Sequence, residues 1–98
     1  MTPIWSPEAI DDLASLRKFI AEDNPAAAQR VVLHILHNVE ALLSKHPEMG
    51  RAGRVPGTRE LIIPKTPFIV PYRLQANTIQ VLRVYHAARR LGAGSPAC

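Results

Sequence analysis

Arginines gathered around one histidine are the residues of this chain that could do chemistry. Arg59, Glu60, Tyr72, Arg73, Arg83, Tyr85, His86, Arg89 and Arg90 lie within 32 positions, with Arg51 and Arg54 just ahead of them and Lys65 between. Guanidinium groups stabilise charge growing on a phosphate, and a histidine can donate or accept the transferred proton, so such a set suits a metal-free phosphodiester site. It equally suits phosphate contacts without chemistry, and Arg73 and Arg83 also read as a salt bridge or a solvated strand face. Acyl transfer has no support: there is no G-x-S-x-G elbow, and the single cysteine, Cys98, has no base near it in sequence. The four histidines include one i, i+3 pair, His34 and His37, without an HExxH motif or a Cys/His cluster. No metal and no cofactor are expected.

The charge is divided unevenly along the chain. Residues 51–98 hold eight Lys/Arg against one acid, Glu60, whereas residues 1–50 hold four against seven. An acidic half ahead of a basic half points to a polyanionic or acidic protein partner for the second half, or to a solvated basic surface. Ninety-eight residues, 47% apolar and 20% charged, make one domain. Nothing in the cysteine usage indicates an oxidising compartment, no apolar run reaches the roughly 18 residues of a membrane span, and the start MTPIWSPEA lacks signal-peptide order. A cytoplasmic protein without membrane contact is expected.

These residues must be positioned by the elements around them. Thr2 to Trp5 can form a short strand, with Pro3 at its start or edge. Ser6-Pro7-Glu8 opens a helix over about Pro7 to Ala21, its stripe carried by Ile10, Leu13, Leu16 and Ile20. Asn24-Pro25 opens a second that reaches about Lys45, and the short break between them folds the two into an antiparallel hairpin. His46-Pro47 ends it, and Gly50, Gly53, Pro56 and Gly57 keep the next stretch irregular. From Arg59 the period changes to two, and ELII, PFIVPYRL and TIQVLRVY form a meander. In the last of these, simple alternation sets Ile79, Val81, Arg83 and Tyr85 against Leu82, Val84 and His86. Pro71 lacks a ladder donor and implies an edge or a bulge. The expected fold is α+β, a helical hairpin packed on an antiparallel sheet to which the N-terminal strand is added. It spans residues 1–91, with 92–98 as a mobile tail.

The blocks IWSPEAIDDL, AEDNPAAAQR, HPEMGRAGRVPGTRELII, PFIVPYR and VLRVYHAARR, in this order of elements, resemble the RelE/ParE toxin superfamily of bacterial type II toxin–antitoxin modules over about residues 3–91. The resemblance implies a β-α-α-β-β-β fold and a growth-arresting toxin held inactive by a cognate antitoxin, one that lies along the hairpin or sheet and contacts the basic half. In the RelE branch it implies ribosome-dependent cleavage of mRNA, in the ParE branch inhibition of DNA gyrase without nuclease activity. His86 matches the catalytic histidine of some nuclease members and Arg89 a catalytic arginine, with Arg83 beside them. Arg51, Arg54, Arg59, Lys65, Arg73 and Arg90 would then hold phosphate or RNA. Against this, RelE-like nucleases commonly read YRLVY in the middle strand, where this chain has FIVPY with Ile69 in place of the arginine, and ELII lacks the lysines of the preceding strand. His86 and Arg89 tip the expectation slightly to ribosome-dependent cleavage. Gyrase inhibition is the first alternative, and a small basic nucleic-acid-binding adaptor the second.

Overall fold

The computed structural model describes residues 2–87. Arg89, Arg90 and the segment 92–98 therefore lie outside the described residues. Two helices, α1 (Pro7–Ala21) and α2 (Pro25–Lys45), are separated by three residues and pack against each other. Each starts where a side chain replaces a missing backbone partner: Ser6 Oγ accepts from the Ala9 amide at 3.0 Å and Asn24 Oδ1 from the Ala27 amide at 3.1 Å. A proline follows each cap, where a missing N–H leaves nothing unpaired. The stripe of α2 falls as its period requires, with Ala28, Ile35, Val39 and Leu43 buried. That of α1 holds at Leu13, which is buried, and at Leu16, which packs on the core, and departs from expectation only at its start. There Ala9 takes the buried place and Ile10 stands 54% exposed.

The strands are β1 (Pro3–Trp5), β2 (Arg51–Ala52), β3 (Arg59–Ile62), β4 (Phe68–Gln75), β5 (Thr78–Val81) and β6 (Tyr85–His86). They form one sheet in the order β1-β5-β4-β3-β2, with β6 also on β4. The meander is antiparallel as expected, while the added β1 runs parallel to β5, which makes the sheet mixed. Leu61, Ile63, Phe68, Val70, Tyr72, Ile79 and Val81 turn to the helices and build the core with Ile35, Val39 and Leu43. The two-residue connection Ala76-Asn77 has φ of 50° and 62°, the left-handed pair of a tight hairpin turn. Alanine is poorly suited there. Ala76→Gly is expected to stabilise the domain by about 0.5–1 kcal/mol, the left-handed strain relieved less the flexibility glycine adds, read as a higher thermal midpoint.

Pro71 produces a bulge. Tyr72 lies opposite Val81, but Ile69 lies opposite Tyr85, so Leu82, Arg83 and Val84 span the two residues Val70 and Pro71. Leu82 still donates to the Pro71 carbonyl at 2.9 Å, and Pro71 has no N–H to return. The extra residue reverses the alternation expected for the end of this strand. Val84 is buried, His86 pairs with Phe68 on the helix side, and Tyr85 joins Ile69 on the opposite face.

Candidate functional site

Register now places the candidates that lie on described strands. On the face turned away from the helices stand Arg51, Glu60, Ile62, Ile69, Arg73, Gln80 and Tyr85. Glu60 is 5% exposed, and its Oε1 accepts from Arg51 Nε at 3.3 Å and Nη2 at 3.2 Å, while Oε2 accepts from the Arg54 amide at 3.4 Å. This acid therefore ties down the basic loop. Arg73 is exposed on β4 across from Gln80. Arg54 and Lys65 lie on exposed connections, with Lys65 at a left-handed φ of 64° in the β3–β4 turn.

The other candidates face elsewhere. Arg59 shares the core side with Tyr72 and donates from Nη1 to the carbonyls of Glu48 at 2.8 Å and Gly50 at 3.0 Å. It holds the chain that leaves α2. Arg83 forms a two-pronged pair with Asp12 of α1, Nε to Oδ2 at 2.8 Å and Nη2 to Oδ1 at 3.1 Å. The Asp12 hydrogen bond raises the arginine further above its ordinary range. Asp12 Oδ2 also accepts from the Val84 amide at 2.9 Å, so one carboxylate clasps the bulge to the helix. The Arg83 guanidinium lies 5.3 Å from the centre of the Tyr85 ring. His86 meets Phe68 edge to face, ring centres 5.6 Å apart.

Among the described residues, the candidates are distributed over both faces of the sheet and do not converge on one point. His86 and Arg73 are on opposite sides, Arg83 and Arg59 bind protein groups, and the middle of the open face is apolar, where Ile69 lies between Ile62 and Tyr85. Sequence reasoning passed over two residues of consequence. Asp12 borders the α1 stripe three residues after Ala9 and four before Leu16, the one signal that could have found it. Gly50 is the other. Tyr72 donates its hydroxyl to the Pro47 carbonyl at 2.7 Å and accepts from the Gly50 amide at 2.8 Å, which fixes the loop over the buried ring. Burial pushes the Tyr72 phenol above its ordinary value of 10.0, while the Gly50 amide and Arg59 pull it back. Among the described residues no group of three or more His, Cys, Asp or Glu could hold a metal, and no helix is long and apolar enough to cross a membrane.

The family model described as the ParE toxin of the type II toxin–antitoxin system parDE matches residues 4–91, and the chain belongs to that family. It is 40% identical over 83 residues to Y4kP of Sinorhizobium fredii, covering 85% of this chain and 84% of that protein. It is 29% identical over 86 residues to toxin RelE2 of Caulobacter vibrioides, covering 88% and 94%. Among solved structures, a chain of the chromosomal ParDE system from P. aeruginosa is similar with a TM-score of 0.79 at 29% identity, covering 88% of this chain and 95% of that one. The toxin–antitoxin complex RelBE2 from Mycobacterium tuberculosis shares the fold, with a TM-score of 0.64 at 23% identity over 87% and 88% of the two chains.

Proposed function

We propose that this toxin arrests growth by binding DNA gyrase, without cutting RNA, and that a cognate antitoxin holds it inactive. One observation carries the reading: the centre of the open sheet face is Ile69 between Ile62 and Tyr85, with His86 turned to the other side against Phe68. Cleavage needs a proton-transfer group and cations converging on one phosphate. An apolar face that offers Ile62 and the half-buried Tyr85 over the buried Ile69, with charge around it, suits recognition of another macromolecule. Membership of the ParE family and the likeness to a ParDE chain support the same branch, and toxin–antitoxin complexes among the similar structures support the antitoxin partner.

Ribosome-dependent cleavage of mRNA is the second reading, favoured by the 29% identity to toxin RelE2. In it His86 transfers the proton, Arg83 and Arg89 are the further catalytic candidates, and Arg51, Arg54, Arg59, Lys65, Arg73 and Arg90 hold phosphate. The test induces the chain without its antitoxin, follows messages on translating ribosomes, and measures supercoiling by gyrase with purified toxin. Blocked supercoiling with intact message is the expected result. Codon-phased cuts that weaken by about 10²–10⁴-fold in His86→Ala or Arg89→Ala would transfer the assignment to the ribosome.

A further inference from the structure

The open face of the sheet has a composition that neither the fold nor the helical core requires. Ile4 on β1 is 59% exposed and Ile62 on β3 50% exposed, at opposite corners of the face. Between them lie Ile69, only 6% exposed, Tyr85 and Arg73. Tyr85 reaches this face through the bulge, and Arg83, held by Asp12, packs against its ring. Among the strand residues of this face the only acid is Glu60, buried and engaged by Arg51, so the field that a partner meets is positive.

From this arrangement we infer that the open sheet face, centred on Arg73 and Tyr85, is the surface that docks an acidic, partly apolar segment of the toxin's protein target. Aliphatic residues around an aromatic and an arginine form the composition from which interface hot spots are drawn. Arg73, which has no ion pair among the described residues, selects an acidic group opposite it and steers the encounter. Tyr85 enters such a contact already oriented, so little side-chain freedom is lost there on binding. The inference rests on the gyrase reading for the identity of the target, and on the face alone for its chemistry.

Three variants test it, Arg73→Glu, Tyr85→Ala and Ile62→Asp, with Lys18→Glu on the helix side as control. Thermal melting of each purified toxin establishes that it is folded. Toxin concentrations for half-inhibition of supercoiling are then measured beside growth arrest on induction and binding to duplex DNA alone. Arg73→Glu is expected to raise the half-inhibiting concentration about tenfold or more, the other two to raise it severalfold, and Lys18→Glu to leave it within about twofold. The Arg73→Glu effect should shrink at high salt. If all three folded variants inhibit and arrest growth like the wild type, or weaken only the antitoxin complex, the inference is overturned. It is equally overturned if the loss tracks weaker binding to duplex DNA alone, since the occupant is then nucleic acid. A wild-type toxin inert towards gyrase removes the reading under the preceding heading. Growth arrest then decides the face: variants that no longer arrest growth support it, and variants that do arrest growth refute it.

Discussion

Gly50→Ala is expected to lower the unfolding free energy by about 1–3 kcal/mol, the usual penalty of overpacking, seen as a lower denaturant midpoint at unchanged slope. A Cβ at Gly50 would stand 2.6 Å from Cε1 and 2.7 Å from the hydroxyl of Tyr72, and 3.0 Å from the Glu60 carbonyl oxygen. The ring has no room to retreat, because Tyr72 is fully buried and its hydroxyl is held by both Pro47 and Gly50. Truncating the ring itself has the larger effect. Tyr72→Ala should cost about 3–5 kcal/mol, a large share of the roughly 5–15 kcal/mol that holds such a domain together. Tyr72→Phe keeps the ring and leaves only the Gly50 amide and the Pro47 carbonyl unpaired, about 1–3 kcal/mol. Since one of the two closest contacts goes with the hydroxyl, Gly50→Ala should be milder in the Tyr72→Phe background. Strict additivity in that double-mutant cycle would show that the clash is not the cause. The raised phenol adds a pH signature. Below pH 10 the tyrosine is neutral in both states and its contribution is intact; above it the unfolded chain ionises first, so stability falls as pH rises towards the folded value. Tyr72→Phe should flatten that alkaline fall.

Asp12→Ala comes second, at about 1–3 kcal/mol, or a fall of several degrees in thermal midpoint. Most of the loss is assigned to the Val84 amide, which would be left beside a buried side chain without its acceptor. The Arg83 guanidinium contributes less, being 43% exposed and therefore screened by water. Asp12→Asn separates the two contributions, because an amide oxygen can still accept from Val84 while the charge is gone. It should recover more than half of the loss. Hydrogen exchange at the Val84 amide gives the local readout, with faster exchange in Asp12→Ala than in Asp12→Asn. An unchanged midpoint in Asp12→Ala would show that the clasp contributes nothing to stability. Arg83 itself sets no pH dependence in the working range: the Asp12 hydrogen bond raises it further above its ordinary, already strongly basic range, so what that group contributes is lost only as pH rises through the raised folded value.

The helices were legible because their signals are local. Ser6-Pro7 and Asn24-Pro25 mark their starts, and a period of 3.6 carries them to Ala21 and Lys45, where the structure ends them. The meander was legible for the same reason, through its period of two between PKTP and QAN. Pro71 announced an edge or a bulge, since a missing N–H can be read from one residue, and the pairing decides for the bulge. What the bulge does to the side-chain faces could not be read, because alternation continues unbroken through TIQVLRVY and only the pairing shows where the extra residue falls. That single step separated His86 from Arg73. The bonds that engage Arg83 and Tyr72 were out of reach for another reason: their partners are 71 and 22 residues away, and no local pattern encodes such a distance. Arg59 was legible as a cation and not as a clamp on two carbonyls.

The parallel seat of β1 beside β5 has a consequence for the birth of the molecule. Ser6 donates its hydroxyl to the Leu82 carbonyl, a partner 76 residues later in the chain. A ribosome adding about 5–20 residues per second needs on the order of 4–15 s to make that stretch. Helix formation, a microsecond event, is long finished by then. Until β5 is made β1 has no strand to pair with, and the apolar side of the hairpin waits for a sheet that is still incomplete. Closing so long a loop is also the slow step once the strands emerge, because its entropy must be met before any contact rewards it. The nascent chain therefore completes its sheet late, as the last strands leave the ribosome.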